Sequence, residues 1–158
     1  MYRLGHAGAA LCCYGPVAAL LSAGGDPTLA VAGTAIAVAC SSLPDVDEVL
    51  PIPHRGPTHT VWFVTACSLL AAVIGVVAGA RLGGPSTLAT VFATATAVSL
   101  VSHLLADSIT PMGVRPFAPL SDWHHSFDVI PAANRRANVA LFGAGAGIAL
   151  LAQTLALF

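Results

Sequence analysis

The sequence predicts an all-α fold, a polytopic bundle of about five transmembrane helices forming a single integral membrane domain over residues 1–158. Three observations predict it. The chain is 56% hydrophobic and 8% charged, with a mean hydropathy of +0.83, whereas a water-soluble domain is about a quarter charged. Its apolar residues gather into five stretches, each near the ~20 residues that a bilayer span requires. A chain of this length is one domain by default.

The stretches are Leu4–Gly24, Thr28–Leu43, Thr58–Ala80, Ser86–Ile109 and Ala137–Phe158. The first carries one Arg near its start and small residues at Ser22-Ala23-Gly24, as a cleaved signal peptide would. His6 and Pro16 interrupt it, so a retained helix is the preferred reading. The second is the shortest and is expected to end early. Ala-Gly-Ala-Ala in the first and Gly143-Ala144-Gly145-Ala146-Gly147 in the fifth let helices approach closely in lipid. No strand precedes those glycines, so a phosphate-binding loop is not implied. Cys12, Cys13, Cys40 and Cys67 lie inside apolar stretches without a C-x-x-C pair and read as small buried hydrophobes.

Of the connections, Gly25–Pro27 and Arg81–Pro85 are tight turns, while Pro44–Pro57 and Pro111–Arg136 are long enough to carry chemistry. Trp123, in the last of these, suits a membrane interface. With five spans, the N-terminus and both long connections share one side, which holds Arg3, Arg55, Arg115, Arg135 and Arg136; the other side holds Arg81 alone. This bias predicts an inner-membrane, multi-pass protein with a cytoplasmic N-terminus. A net charge of −1 and the lack of a basic stripe give no reason to expect nucleic acid as a partner.

The same topology sorts the chemistry-bearing residues. His103 and Asp107 stand four apart at the end of the fourth stretch, on one helix face. An imidazole and a carboxylate there make half of a divalent-metal site, and ionisable residues within a span are functional candidates by default. His6, Asp45, Asp47, His54 and His59 all fall at the same membrane face. Pro44 is expected to end the second helix, and an extended Asp45-Val46-Asp47 would send its carboxylates to opposite sides. One of the two acids is then expected on the metal, the other on a ligand histidine or a second ion. Glu48 is expected to face water. Ser99, Ser102, Ser108 and Thr110 are candidates for orienting the ligands. Arg55 suits either anchoring or the grip of a phosphate. His124 and Asp128 repeat the His-x-x-x-Asp spacing, with His125 adjacent, but in a loop, where spacing carries little meaning.

Taken in order, Pro44-Asp45-Val46-Asp47, His54-Arg55-Gly56-Pro57-Thr58-His59 and His103-x-x-x-Asp107-x-x-Thr110-Pro111-x-Gly113 resemble the YdjM-type membrane-bound metal-dependent hydrolases. That family is also described as LexA-binding inner-membrane proteins. The resemblance covers most of the chain and implies a hydrolase without naming a substrate. A more remote similarity, to the zinc-dependent phospholipase C and P1 nuclease superfamily, aligns Asp45, His59, His103 and Asp107 with zinc ligands and His6 with an early histidine ligand. Two departures stand out. Met1-Tyr2 replaces the N-terminal Trp whose amine helps bind metal in the phospholipases, and the downstream His-x-x-x-Glu is absent. One or two ions are therefore expected rather than three.

The resulting expectation is a membrane-embedded hydrolase of phosphate esters such as phospholipid head groups. His6, Asp45, Asp47, His59, His103 and Asp107 are the candidate metal residues, for Zn²⁺ by their mixed N/O character. Asp47 and Arg55 are the candidate catalytic residues, as general base and phosphate grip. Partners expected are the bilayer, such a substrate and, at most, further copies of the chain. A competing expectation is a non-catalytic, metal-stabilised scaffold or regulator that binds a cytoplasmic partner. A transporter ranks last, because the middles of the spans carry mainly Ser and Thr.

Overall fold

A computed structural model describes residues 1–82 and 84–156. Gly83, in the third connection, and Leu157-Phe158, at the end of the fifth apolar stretch, lie outside the described residues. Five α-helices follow one another: α1 (Arg3–Ala23), α2 (Pro27–Cys40), α3 (Val61–Leu82), α4 (Pro85–Ser108) and α5 (Arg135–Ala156). Strands are absent among these residues apart from one isolated antiparallel bridge, Val114 to His125. Prolines open α2 and α4 at the first helical turn, where the missing N–H costs nothing.

The second helix is the short one. α2 has 14 residues, and the apolar run reaches spanning length only by including the following 3-10 turn, Pro44–Glu48. The Asp45–Asp47 segment is therefore not extended as expected. Pro44 starts a helical turn because its fixed φ is as compatible with a first helical position as with extended chain. At three residues per 3-10 turn, positions two apart still diverge, so the two carboxylates point to different neighbours all the same.

Helices α1 and α4 form the buried pair, and α2 packs on both. α5 lies along α1 and α3 along α4, each with most of its surface outward. The outward faces are apolar, including Leu69, Leu70, Val73, Val77, Leu150 and Leu151, as expected of surface that meets lipid tails rather than water. Small residues set the contacts. A Cβ at Gly8 would fall 2.6 Å from the Leu141 carbonyl carbon, and one at Gly145 would collide with the Gly8 carbonyl. Gly145 is thus a packing residue, whereas Gly143 and Gly147 face open space. The cysteines are all free, and none is fully buried as expected: Cys12, Cys40 and Cys67 are half-buried and Cys13 is exposed, because helix faces toward lipid accept a small apolar side chain as readily as the core does.

The start of α1, the end of α2, the start of α3, the end of α4 and the start of α5 meet at one end of the bundle, because successive helices reverse direction; α1 and α5, which both start there, pack in parallel. There the long fourth connection folds back over α4. The N–H groups of Phe127 and Val129 donate to the Ser108 and Ile109 carbonyls, and the Ser126 hydroxyl donates to the Thr110 carbonyl. These bonds satisfy carbonyls that a helix end would otherwise leave orphaned. They also hold the His103–Asp107 turn in place.

Candidate metal centre

The helix ends bring together side chains as far apart in sequence as His6 and Asp107. His6 lies in the second turn of α1, His103 and Asp107 in the last turns of α4, and Asp45 in the 3-10 turn after α2. Each of the four offers one ligand atom, and these atoms all lie within 4.8 Å of one another. His6 and His103 stack, with ring centroids 3.6 Å apart and planes 11° apart. His6 Nε2 lies 3.5 Å from Asp107 Oδ1 and 3.8 Å from Asp45 Oδ2. His103 Nε2 lies 3.5 Å from both Asp45 Oδ1 and Asp107 Oδ2.

His59 stands against this group from the 3-10 turn Pro57–His59. Its Nε2 is 3.1 Å from His103 Nε2, 3.4 Å from Asp107 Oδ2 and 3.8 Å from Asp45 Oδ1. The opposite nitrogens of the two rings explain this arrangement. His103 Nδ1 lies 2.7 Å from the Ser41 carbonyl, which can only accept, so the proton belongs on Nδ1. His59 Nδ1 lies 3.1 Å from Asp47 Oδ2 and 3.0 Å from the Thr58 hydroxyl oxygen. Both rings are thereby turned so that Nε2 lone pairs face each other across the cup. Lone pairs at that distance repel unless a proton or a cation lies between them. Burial works against charge on His59, but the carboxylates of Asp107, Asp45 and Asp47 around the ring outweigh it. The imidazole pKa is raised above its ordinary value.

Asp47 faces away from the cup. Its Oδ1 is 2.9 Å from His54 Nδ1, and its Oδ2 accepts from the Arg55 N–H at 2.8 Å and the Thr58 hydroxyl at 3.0 Å. With both oxygens occupied, its place is that of the carboxylate that orients a histidine, one of the roles the Asp-x-Asp spacing left open, rather than that of a ligand or base. Arg55 is held between the two halves of the site. Its backbone has φ of 55°, an unfavourable region for a side chain of this size. That conformation lets the N–H reach Asp47 while the guanidinium reaches Asp107 Oδ1 at 2.9 Å, the Thr110 hydroxyl at 2.8 Å and the Gly113 carbonyl at 2.9 Å. The terminal amine of Met1 also contacts Asp107.

Several expectations about the surroundings change. The hydroxyls of Ser99, Ser102 and Ser108 donate to the backbone carbonyls of Ala37, Ser99 and Leu105, so they brace helices and orient no ligand. Thr110 alone of that group reaches the site, through Arg55. Three positions were missed: the Ser41 carbonyl, Thr58 and Asn138. Asn138 Oδ1 accepts from the Tyr2 N–H at 2.9 Å, while its amide donates to the Ala132 and Asn134 carbonyls. It thereby fixes the start of α1 and with it His6. An amide side chain at the start of an apolar stretch was the available signal; the structure buries it. His124 and Asp128 stay outside the cup, exposed. His124 Nε2 donates to the Met112 carbonyl at 2.9 Å.

The donor set fits a cation. His6 Nδ1 and Nε2 and Asp107 Oδ2 are buried without hydrogen-bond partners among the described residues, a costly state for polar groups. A bound divalent ion would satisfy His6 Nε2 and Asp107 Oδ2 together. A family description, YdjM inner membrane protein, matches residues 1–158. The chain belongs to that family. No curated protein and no solved structure matches it. Family membership and five helices long and apolar enough to cross a bilayer make this a multi-pass membrane protein.

Proposed function

We propose that the chain is a membrane-embedded, metal-dependent hydrolase of phosphate esters, with phospholipid head groups as the substrates its location favours. The observation that carries this reading is the buried cup of His6, Asp45, His103 and Asp107, with His59 beside it and partnerless atoms inside. These residues would hold the ion. Their nitrogen and carboxylate donors suit Zn²⁺. When bound, such an ion supplies Lewis acidity and a water-derived nucleophile near neutral pH.

The chain's own residues set the conditions for that chemistry. Asp47 and Ser41 hold the two imidazoles in the tautomer that leaves Nε2 available. Arg55 braces Asp107 and brings a fixed positive charge next to the cup. Asp45 is the one cup residue that meets solvent, its side chain being 12% exposed against 1% or less for His6, His103 and Asp107. It lines a cavity of about 400 Å³ with Met1–Leu4 and Glu48, which makes the Asp45 side the open approach to the cup. Five of the six arginines gather at this end of the bundle, which supports a cytoplasmic N-terminus and an active site at head-group level.

A second reading, a metal-stabilised scaffold or regulator, draws support from the near-complete burial of the cup, since structural metal sites are closed. One experiment separates the two. Metal analysis of the purified protein is followed by a phosphodiester and phospholipid screen, on the wild type and on His103→Ala. Loss of metal and of hydrolysis together upholds the enzyme. A metal-loaded wild type that hydrolyses no phosphate ester leaves the scaffold.

A further inference from the structure

A second cavity lies on the far side of Arg55 from the cup and differs in character from the one at Asp45. It has a volume of about 330 Å³ and is formed where Pro53–Gly56 meets Met112–Arg115, with Ala118 and His124 completing the wall. Its lining holds two arginines, Arg55 and Arg115, two histidines, His54 and His124, and no acid. The cavity beside Asp45, by contrast, has Arg3 set against Asp45 and Glu48.

Neither arginine is fully used by the protein. The Arg55 side chain is 93% buried, its side-chain exposure being 7%, yet its Nε has no hydrogen-bond partner among the described residues. Arg115 is exposed and makes no ion pair among them. The walls themselves are held rigidly. Gly113 has φ of 59°, and a Cβ there would collide with the His125 carbonyl. The Val114–His125 bridge, the His124–Met112 bond and the Arg55–Gly113 bond tie the two sides together. A preformed concave site lined by two guanidinium groups and no carboxylate suits an oxyanion, and guanidinium forks suit phosphate in particular.

We propose that this cavity binds the phosphate group of the ligand, with Arg115 as the recognition residue at the rim and Arg55 linking the phosphate to the cup through Asp107. Its role as a substrate subsite rests on the hydrolase reading; its capacity to bind a phosphate group does not. A phosphate there lies against the guanidinium that contacts a candidate metal ligand. The arrangement also gives a structural reason for the left-handed Arg55, which serves cup and cavity at once.

The test compares the wild type with Arg115→Gln and Arg115→Lys. In one arm, inorganic phosphate is titrated into protein in neutral maltoside micelles and followed calorimetrically. In the other, phosphatidylcholine vesicles with and without a phosphomonoester lipid are used, and binding is followed by co-flotation. Expected is binding that Arg115→Gln weakens about tenfold and Arg115→Lys largely restores, with metal content unchanged in both variants. The effect in the first arm points to free phosphate, and the effect in the vesicle arm alone points to a lipid head group. Equal binding by wild type and Arg115→Gln in both arms, or no binding in either, overturns the proposal. Arg115-dependent binding without hydrolysis of any phosphate ester leaves the subsite standing and removes the enzyme. Hydrolysis with a KM that Arg115→Gln does not change does the reverse.

Discussion

The pairs His103/Asp107 and His124/Asp128 share one spacing, a histidine followed four residues later by an aspartate, and differ in everything else. The first sits in the last turns of α4, where the helical repeat places both side chains on one face, and both are fully buried. The second sits in the connection that folds over α4. There His124 donates to a carbonyl of its own loop, and Asp128 has φ of 50°. Equal spacing becomes equal direction only where the backbone supplies a period, and a ligand cup forms only where other elements converge on the same face.

That contrast can be broken or sharpened by substitution. Asp107→Asn should have the largest effect, taking bound metal per chain to background in elemental analysis of the purified protein. Asp128→Asn should leave it unchanged. Equal metal content in the two variants would erase the distinction between the pairs. Asp47→Ala should come next. It removes the carboxylate that fixes His59 without removing a cup ligand, so metal affinity should fall about 10–100-fold, measured by competition with a chelator of known strength.

A pH series probes the same cup. The His59 pKa is raised in the ion-free chain, so below that value an incoming ion must expel a proton. Metal affinity should be flat at higher pH and fall by up to about tenfold per unit as pH drops below it. A flat profile down to pH 5 would remove His59 from the site. Asn138→Ala tests support at a distance. It removes the acceptor of the Tyr2 N–H and a donor to the Ala132 carbonyl, and should lower stability by about 0.5–1.5 kcal/mol, seen as a reduced thermal midpoint in micelles. The smallest effect is again Asp128→Asn, whose stability change should stay within about 0.5 kcal/mol of zero.

Much of the site could be read from the chain because lipid restricts what the chain can do. The succession of five spans indicated which connections share a face, and that alone grouped His6, Asp45, His59, His103 and Asp107 at one end, while Arg3, Arg55, Arg115, Arg135 and Arg136 indicated which side of the membrane that end faces. Direction was harder to read. Nothing in Asp45-Val46-Asp47 says which carboxylate enters the cup, since that depends on whether Pro44 begins a turn or an extended segment. Ser99 and Ser102 looked suited to orienting ligands, but Ser102 bonds back to a carbonyl of its own helix and Ser99 reaches across to the Ala37 carbonyl of α2. The Ser41 carbonyl was invisible because every residue has one.

Composition and periodicity by themselves determined that the chain forms membrane-crossing helices, because apolar surface on this scale has nowhere else to go and backbone polar groups in lipid must be paired internally. Local sequence also determined which residue types reach the polar end. Only the tertiary structure decided that His103 and His59 direct Nε2 inward, that Asp47 supports while Asp45 and Asp107 face the cup, and that Arg55 joins the cup to a separate cavity. Those outcomes depend on angles between elements far apart in sequence. Such angles are set by contacts like Gly145 on Gly8 and by the loop bonds over α4, which no single segment encodes.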